Sequence, residues 1–299
     1  MAVQVLGSRD VVRASRERQR RRYGERPGIA YLFLSPWVLG ALLLTVGPML
    51  GSLYLSFTDY DLFTTPEWVG LENYRNLFTD DSRFVAAVWV TVRYVLISTP
   101  LKLVAALAVA LLLNRASRAQ GFYRSAFYAP SLLGASVAVA LVWRVIFGDL
   151  VSSPQYALLV IVALAVWQFG APMVIFLAGL EQIPQELYDA SAVDGAGWWR
   201  TLRSVTLPML SPVIFFNLVL ETIHAFQAFT GAFVISSGRG GPIDSTLFYT
   251  LYLYQKGFNE FRMGYASAMA WVLVLVVAAI TAVLFRTARM WVFYAGEDR

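Results

Sequence analysis

Apolar runs of about 20 residues alternate along the chain with shorter polar stretches, and a run of that length crosses a hydrocarbon core about 30 Å thick as a helix. The pattern predicts six spans: Ile29–Phe57, Val85–Leu113, Ala126–Phe147, Tyr156–Leu180, Pro212–Ile235 and Gly264–Phe285. Pro36 and Pro48 fall in the first, and Pro100, Pro130 and Pro172 in the next three. Such kinks are tolerated where neighbouring helices satisfy the freed backbone groups, and they point to a bundle with an internal cavity. Between the fourth and fifth spans the pattern changes. "DASAVDGAGWWRTLRSVTLPML", Asp189 to Leu210, is too polar to insert. Pro184 suits a first helical turn, and "QELYDASAVD" reads as a short helix with a small-residue face of Ala190, Ser191 and Ala192. Gly195 and Gly197 bracket a turn. A second helix follows with Trp198, Leu202 and Val205 at i, i+4, i+7; Pro208 ends it and Pro212 opens the fifth span. The segment is predicted to lie along one membrane face as a helix, a glycine turn and a helix.

Composition agrees with a membrane protein. Of the 299 residues, 58% are hydrophobic and 14% charged, against about 25% charged in soluble domains. The net charge of +5 does not indicate a nucleic-acid binder, because the arginines cluster between apolar spans and do not line one surface. Arg9 to Arg26, Arg115, Arg118, Arg124, Arg200, Arg203, Arg286 and Arg289 all fall on one side of the six-span scheme, which the positive-inside rule makes cytoplasmic. Both termini are then expected inside. The other side receives the acidic "TDYDLFTTPEWVGLENYRNLFTDDSR", the short "GDLVSSP" and a loop from Ser236 to Met263. The predicted organisation is a basic cytoplasmic tail (1–28), a six-helix transmembrane domain (29–287) carrying the cytoplasmic loop 181–211, and a cytoplasmic tail (288–299). The basic "RASRERQRRRYGERPG" precedes an apolar run too long for the core of a cleavable signal peptide.

The candidate chemistry is sparse. There is no cysteine and one histidine, His224, which excludes disulfides, thiolate catalysis and an HExxH zinc site. Neither Lys102 nor Lys256, the two lysines, stands in a G-x-x-x-x-G-K-[ST] motif, so the chain is not expected to hydrolyse ATP. Polar residues inside spans face a cavity or a partner helix. The fifth span carries Asn217, Glu221 and His224 at i, i+4, i+7, with Gln227 a turn on and Phe226 and Phe229 between. Amides, a carboxylate and aromatic faces suit a hydroxyl-rich sugar; interhelical hydrogen bonding is the competing expectation. Lys102 is expected to snorkel or to contact a helix. Arg93 and Arg144 are expected at an interface, and Gly264, Ser267 and Ala268 to form a small face for close helix packing. Glu221 and His224 could also serve a proton-coupled secondary transporter as a relay. A membrane enzyme would lack a nucleophile beside that pair.

The polar loop resembles the EAA loop of inner-membrane permeases of binding-protein-dependent ABC importers: Glu-Ala-Ala, three residues, Gly, nine residues, Ile-x-Leu-Pro. Here the positions read Asp189-Ala190-Ser191, Gly195 and Val205-Thr206-Leu207-Pro208 at the same spacing. "YLFLSPWVLGALLLTVGPMLGSLYLSFTDYD", "WVGLENYRNLF", "IFLAGLEQIPQELYDASAVDGA" and "FYTLYLYQKGFNEFRMGYASAMAW" resemble the carbohydrate group of these permeases, the maltose and glycerol-phosphate type, and within it the first of two unlike permeases. The short "GDLVSSP" departs from the longer external loop usual there. The resemblance implies an all-α polytopic protein of six transmembrane helices with the ABC-importer type I permease fold, in a bacterial cytoplasmic (inner) membrane. It implies import of a sugar or oligosaccharide, a non-sugar solute being the alternative within the class. It also implies coupling to an ATPase through Glu186, Asp189, Ala190, Ser191, Asp194, Gly195, Leu207 and Pro208, and substrate contact through Asn217, Glu221, His224 and Gln227. The implied partners are a second permease subunit, two ATPase subunits and an extracytoplasmic sugar-binding protein or lipoprotein. No cofactor is expected on this chain; ATP and Mg would be used by the ATPase subunits.

Overall fold

The computed structural model describes residues 27–114, 120–133 and 136–293, with side chains from Tyr31 onward. The basic N-terminal residues to Arg26, Arg115, Arg118 and the tail beyond Phe293 lie outside the described residues. Two compact units divide at Tyr54 and Leu55. In the first, α1 (Pro27–Ala41) passes through a π-helical turn (Leu42–Val46) into α2 (Gly47–Leu55), giving an apolar stretch, Tyr31–Leu55, with no buried residues.

The second unit begins with a segment that is folded, not a plain loop. β1 (Thr58–Asp59) pairs antiparallel with β2 (Glu67–Trp68), and α3 (Glu72–Thr79) follows. Asn73 is buried under the hairpin and donates Nδ2 to the carbonyls of Ser56 and Thr58 at 3.1 and 2.8 Å. The 32-residue α4 (Ser82–Leu113) is the axis of the unit. Around it stand α5 (Gln120–Leu133), α6 (Val137–Ile146), the short α7 (Gly148–Val151), α8 (Ala157–Trp167) and α9 (Gly170–Glu181). Then come α10 (Gln185–Val193), α11 (Trp198–Thr201), a π-helical turn (Leu202–Thr206), α12 (Leu207–Phe226) and α13 (Thr230–Ile235). The chain ends in α14 (Tyr249–Tyr254), a π-helical turn (Gln255–Asn259) and α15 (Met263–Trp291). Among the described residues four helical stretches are long and apolar enough to cross a membrane, and six if the bent pairs α5/α6 and α8/α9 each count as one span.

Three sequence expectations are corrected. Pro208 does not end a helix: Trp198–Ile235 is one candidate span, and the turn Leu202–Thr206 carries the chain past the proline. A proline has no N–H to give and its ring crowds the preceding turn; widening that turn, with Leu207 N–H reaching back to the Leu202 carbonyl, absorbs both. The first span does the same, its π-helical turn standing just ahead of Gly47-Pro48 with Gly47 N–H on Leu42. The second correction is the loop Ser236–Met263. Its α14 belongs to the core: Leu247, Phe248 and Leu251 are fully buried, the Tyr249 amide donates to Thr91 Oγ1 at 2.8 Å, and the Tyr249 hydroxyl donates to the Met269 carbonyl at 2.7 Å. The third concerns Gly264, which meets the backbone of the hairpin and of Leu55 just before it. A Cβ there would lie 2.0 Å from the Thr58 carbonyl oxygen, and its amide donates to Tyr60 at 3.1 Å.

Asp81 fastens this end of the unit. It caps α4 by accepting from Phe84 N–H at 3.0 Å and receives the hydroxyls of Tyr252 and Tyr265 at 2.7 and 2.6 Å. Burial pushes its carboxyl up, but the bonds from Tyr265, Tyr252 and Phe84, with the charge of Lys256, hold it below the ordinary carboxylate range. At the other end α9 crosses α12 through Gly179, where a Cβ would lie 2.8 Å from Leu210 and 2.9 Å from Val213, the close approach that small residues permit in membranes.

Candidate functional site

A cavity of about 540 Å³ opens where three helical paths are interrupted. The interruptions fall between α5 and α6, which differ in direction by 96°, between α8 and α9, which differ by 42°, and between α12 and α13 at Gln227–Phe229. Each contributes to the wall: Ser136, Gln168, and Gln227 with Ala228 and Phe229. Irregular backbone at membrane depth is stable only where it is buried in protein or lines a polar cavity. One break is sealed by Ser131, whose Oγ donates to the Gln168 carbonyl and accepts from Ala171 N–H, both at 3.0 Å. Gly170 makes that contact possible, since a Cβ there would lie 2.5 Å from the Phe127 carbonyl oxygen.

The helix α4 forms the second wall with Tyr94, Ser98, Thr99 and Lys102, and α12 the third with Glu221, His224 and Ala225. Lys102 Nζ and Glu221 Oε2 lie 2.7 Å apart, with both side chains largely buried. Lys102 is therefore a helix contact and does not snorkel. Of the stripe read from the sequence, Glu221, His224 and Gln227 line the cavity; Asn217 does not. Asn217 is 1% exposed, with no partner for Nδ2 among the described residues. It shares the helix face, but at 1.5 Å per residue it stands about 6 Å along the axis from Glu221, past the cavity. Ser98, Thr99 and Gln168 were missed by the sequence reading. Nothing in the order of residues says which helices meet, although Ser98, Thr99 and Lys102 at i, i+1, i+4 were visible as a polar cluster beside Pro100. Arg144, expected at an interface, is exposed and donates to the Val234 carbonyl at 3.4 Å.

The polar segment forms a second feature. The helix α10 stops in a Schellman motif: Gly195 at φ +69° sends its N–H to Ala192, and Ala196 sends its own to Ser191, each at 3.0 Å. Glycine is required there for the left-handed backbone, while its Cβ direction is open space. Glu186, Asp189, Ala190, Asp194 and Gly195 are exposed. Ser191 departs from the expected small face: it is buried, with Oγ 2.7 Å from Thr201 Oγ1, and it ties α10 to α11. Leu207 and Pro208 are half-buried at the start of α12. The sequence reading also missed Val193, 88% exposed on the stripe of Glu186 and Asp189–Ala190. Arg124 pairs with Glu181 at the foot of α9.

Against known proteins, residues 80–291 match the family model described as "Binding-protein-dependent transport system inner membrane component". The chain is 48% identical over 286 residues to the "Probable ABC transporter permease protein YesP" of Bacillus subtilis (strain 168), covering 90% of this chain and 93% of that one. It is 30% identical over 274 residues to the "Probable starch degradation products transport system permease protein AmyD" of Thermoanaerobacterium thermosulfurigenes, covering 86% and 92%. Among solved structures, a chain of a bacterial alginate ABC transporter in complex with alginate pentasaccharide-bound periplasmic protein superposes with a TM-score of 0.75 at 19% identity, over 89% of this chain and 96% of that one. That likeness gives the fold, the six-helix permease fold of ABC importers.

Proposed function

The chain belongs to the binding-protein-dependent transport system inner membrane components, and we propose that it forms one half of the path by which an ATP-driven importer carries a saccharide across a bacterial cytoplasmic membrane. The observation that carries this reading is the cavity walled by three helix interruptions and by Glu221, His224, Gln227, Ser98 and Thr99. It offers donors and acceptors beside Tyr94, Phe229 and Phe248 at membrane depth, the mixture that a polyhydroxylated ring with an apolar face requires. Relatives whose names refer to starch degradation products and arabinooligosaccharides support the substrate class.

The power stroke is assigned to other chains. The exposed stripe of α10, with Glu186, Asp189, Ala190 and Val193, is the surface for an ATPase subunit, and the rigid stop at Gly195 and the Ser191–Thr201 bond transmit its movement into α12. ATP and Mg belong to a pair of those subunits. A second permease completes the path, and an extracytoplasmic binding protein delivers the sugar. In this reading the positive-inside rule puts α10 and both termini on the cytoplasmic side. A proton relay would need Glu221 paired with His224, whereas its carboxylate is engaged by Lys102 at 2.7 Å.

The absence of cysteine makes the test direct. Val193→Cys and Ile243→Cys place single thiols on residues that are each 88% exposed. An impermeant maleimide applied to intact cells should label Ile243→Cys. It should reach Val193→Cys only after permeabilisation, and less so when the ATPase is bound. Labelling of Val193→Cys in intact cells, or labelling indifferent to the ATPase, would refute the docking assignment.

A further inference from the structure

On the reading of the cavity as a saccharide path, we propose that Thr99 and Lys102 of α4 form a sugar-binding subsite facing Glu221, and that it takes an oxygen acceptor of the transported saccharide. Thr99 is only 4% exposed, and its Oγ1 has no hydrogen-bond partner among the described residues, although it stands on the cavity wall. A buried hydroxyl left unpaired is costly. Within a helix threonine ordinarily relieves that cost by bonding the carbonyl one turn back, and Thr91 on the same helix does so, donating to Ala87 at 2.9 Å. Thr99 does not, so its hydroxyl stands unpaired behind the cavity wall, closed to water in this structure and within reach of an occupant only as that wall opens.

Lys102, one turn on, supplies the complementary group. An ammonium has three donors, and Glu221 takes one of them at 2.7 Å. Glu221 fixes the direction of the lysine, and the remaining N–H bonds are available to an oxygen on the sugar. That oxygen is either a ring hydroxyl or the carboxylate of an acidic sugar; both accept from an ammonium, and Thr99 can donate to either. Neither residue lies on the polar stripe of α12, so the subsite would give the cavity two facing polar walls, which hold a ring in one orientation better than one wall does.

The test uses the assembled complex in nanodiscs and equilibrium binding of labelled neutral and uronate trisaccharides, from which the tightest of each kind is taken. Thr99→Val, which keeps the shape and removes the hydroxyl, should weaken binding about tenfold, roughly the worth of one good hydrogen bond. Thr99→Ser should restore it to within about twofold. Lys102→Met combined with Glu221→Gln, which removes the pair without leaving a lone charge, should weaken binding as well. An equal loss for both sugars identifies a hydroxyl acceptor, and a larger loss for the uronate identifies a carboxylate. All variants should copurify with their partners in wild-type proportion. Wild-type affinity in Thr99→Val overturns the role of Thr99, and wild-type affinity in the double variant overturns that of Lys102. A wild-type complex that binds no trisaccharide would instead overturn the saccharide reading itself.

Discussion

Lys102 on α4 and Glu221 on α12, 119 residues apart in sequence, meet as an ion pair 2.7 Å long with both side chains mostly out of solvent. Breaking a buried pair from one side leaves a lone charge, which typically costs about 3–5 kcal/mol, while replacing both partners is far milder. Glu221→Ala and Lys102→Met should each lower the melting temperature of the purified complex by several degrees. Lys102→Met with Glu221→Gln should recover most of that loss. Intrinsic tryptophan fluorescence on heating measures it; additive losses in the double variant would show that the two residues act separately.

Gly195 stands at φ +69° in open space. Gly195→Ala therefore meets strain and no clash, costing about 1–2 kcal/mol. The Schellman bonds at the end of α10 should loosen, so the amides of Gly195 and Ala196 should exchange with deuterium roughly 5- to 30-fold faster, with the core of α4 unchanged. Unaltered exchange at these two amides would contradict the motif's role.

Gly264 is the opposite case. A Cβ would stand 2.0 Å from the Thr58 carbonyl oxygen, which is backbone and cannot swing aside. Gly264→Ala should cost more than the usual overpacking range of about 1–3 kcal/mol and reduce the yield of folded protein. Gly121→Ala, where nothing lies within 4 Å, should be neutral or slightly stabilising, because alanine favours a helix over glycine. Similar melting of the two variants would contradict the close approach of α15 to the hairpin.

Asp81 gives a pH dependence. Its folded-state carboxyl is held below the ordinary range although burial opposes this, so the unfolded chain binds the proton more readily. The stabilisation is complete above about pH 5 and drains away as the pH falls through the ordinary carboxylate range to the folded value. Wild type should melt above Asp81→Asn at pH 6, and the gap should shrink on acidification toward pH 3. A gap that stays constant or widens would rule out Asp81 as the titrating group.

The spans were legible because a run of about 20 apolar residues has few other uses, and α10 with its glycine stop was legible because capping is local chemistry. What could not be read depended on contacts distant in sequence. The interruption at Gln227–Phe229 carries no proline or glycine to mark it. Pro208 looked like a stop because the π-helical turn that accommodates it leaves no sequence signal. The run containing α14 is too short to span and was taken for a loop, yet its aromatic side chains fill the core beside Thr91 and Met269. Half of the cavity was visible as the stripe of Glu221 and His224; the half on α4 appeared only once Lys102 was seen against Glu221.

The central claim is that this chain passes a saccharide through its cavity at the expense of ATP hydrolysed elsewhere. The most direct test is accumulation of a labelled oligosaccharide in proteoliposomes holding this chain with its partner permease, ATPase and binding protein, with Ala190→Trp as the uncoupling control. Accumulation should require ATP on the side of α10. Ala190→Trp, which places bulk on the exposed stripe of α10, should abolish accumulation while the two permeases still copurify, with the ATPase lost or its hydrolysis no longer stimulated by the loaded binding protein. Accumulation driven by a proton gradient without ATP, or full ATP-dependent uptake in Ala190→Trp, would contradict the account.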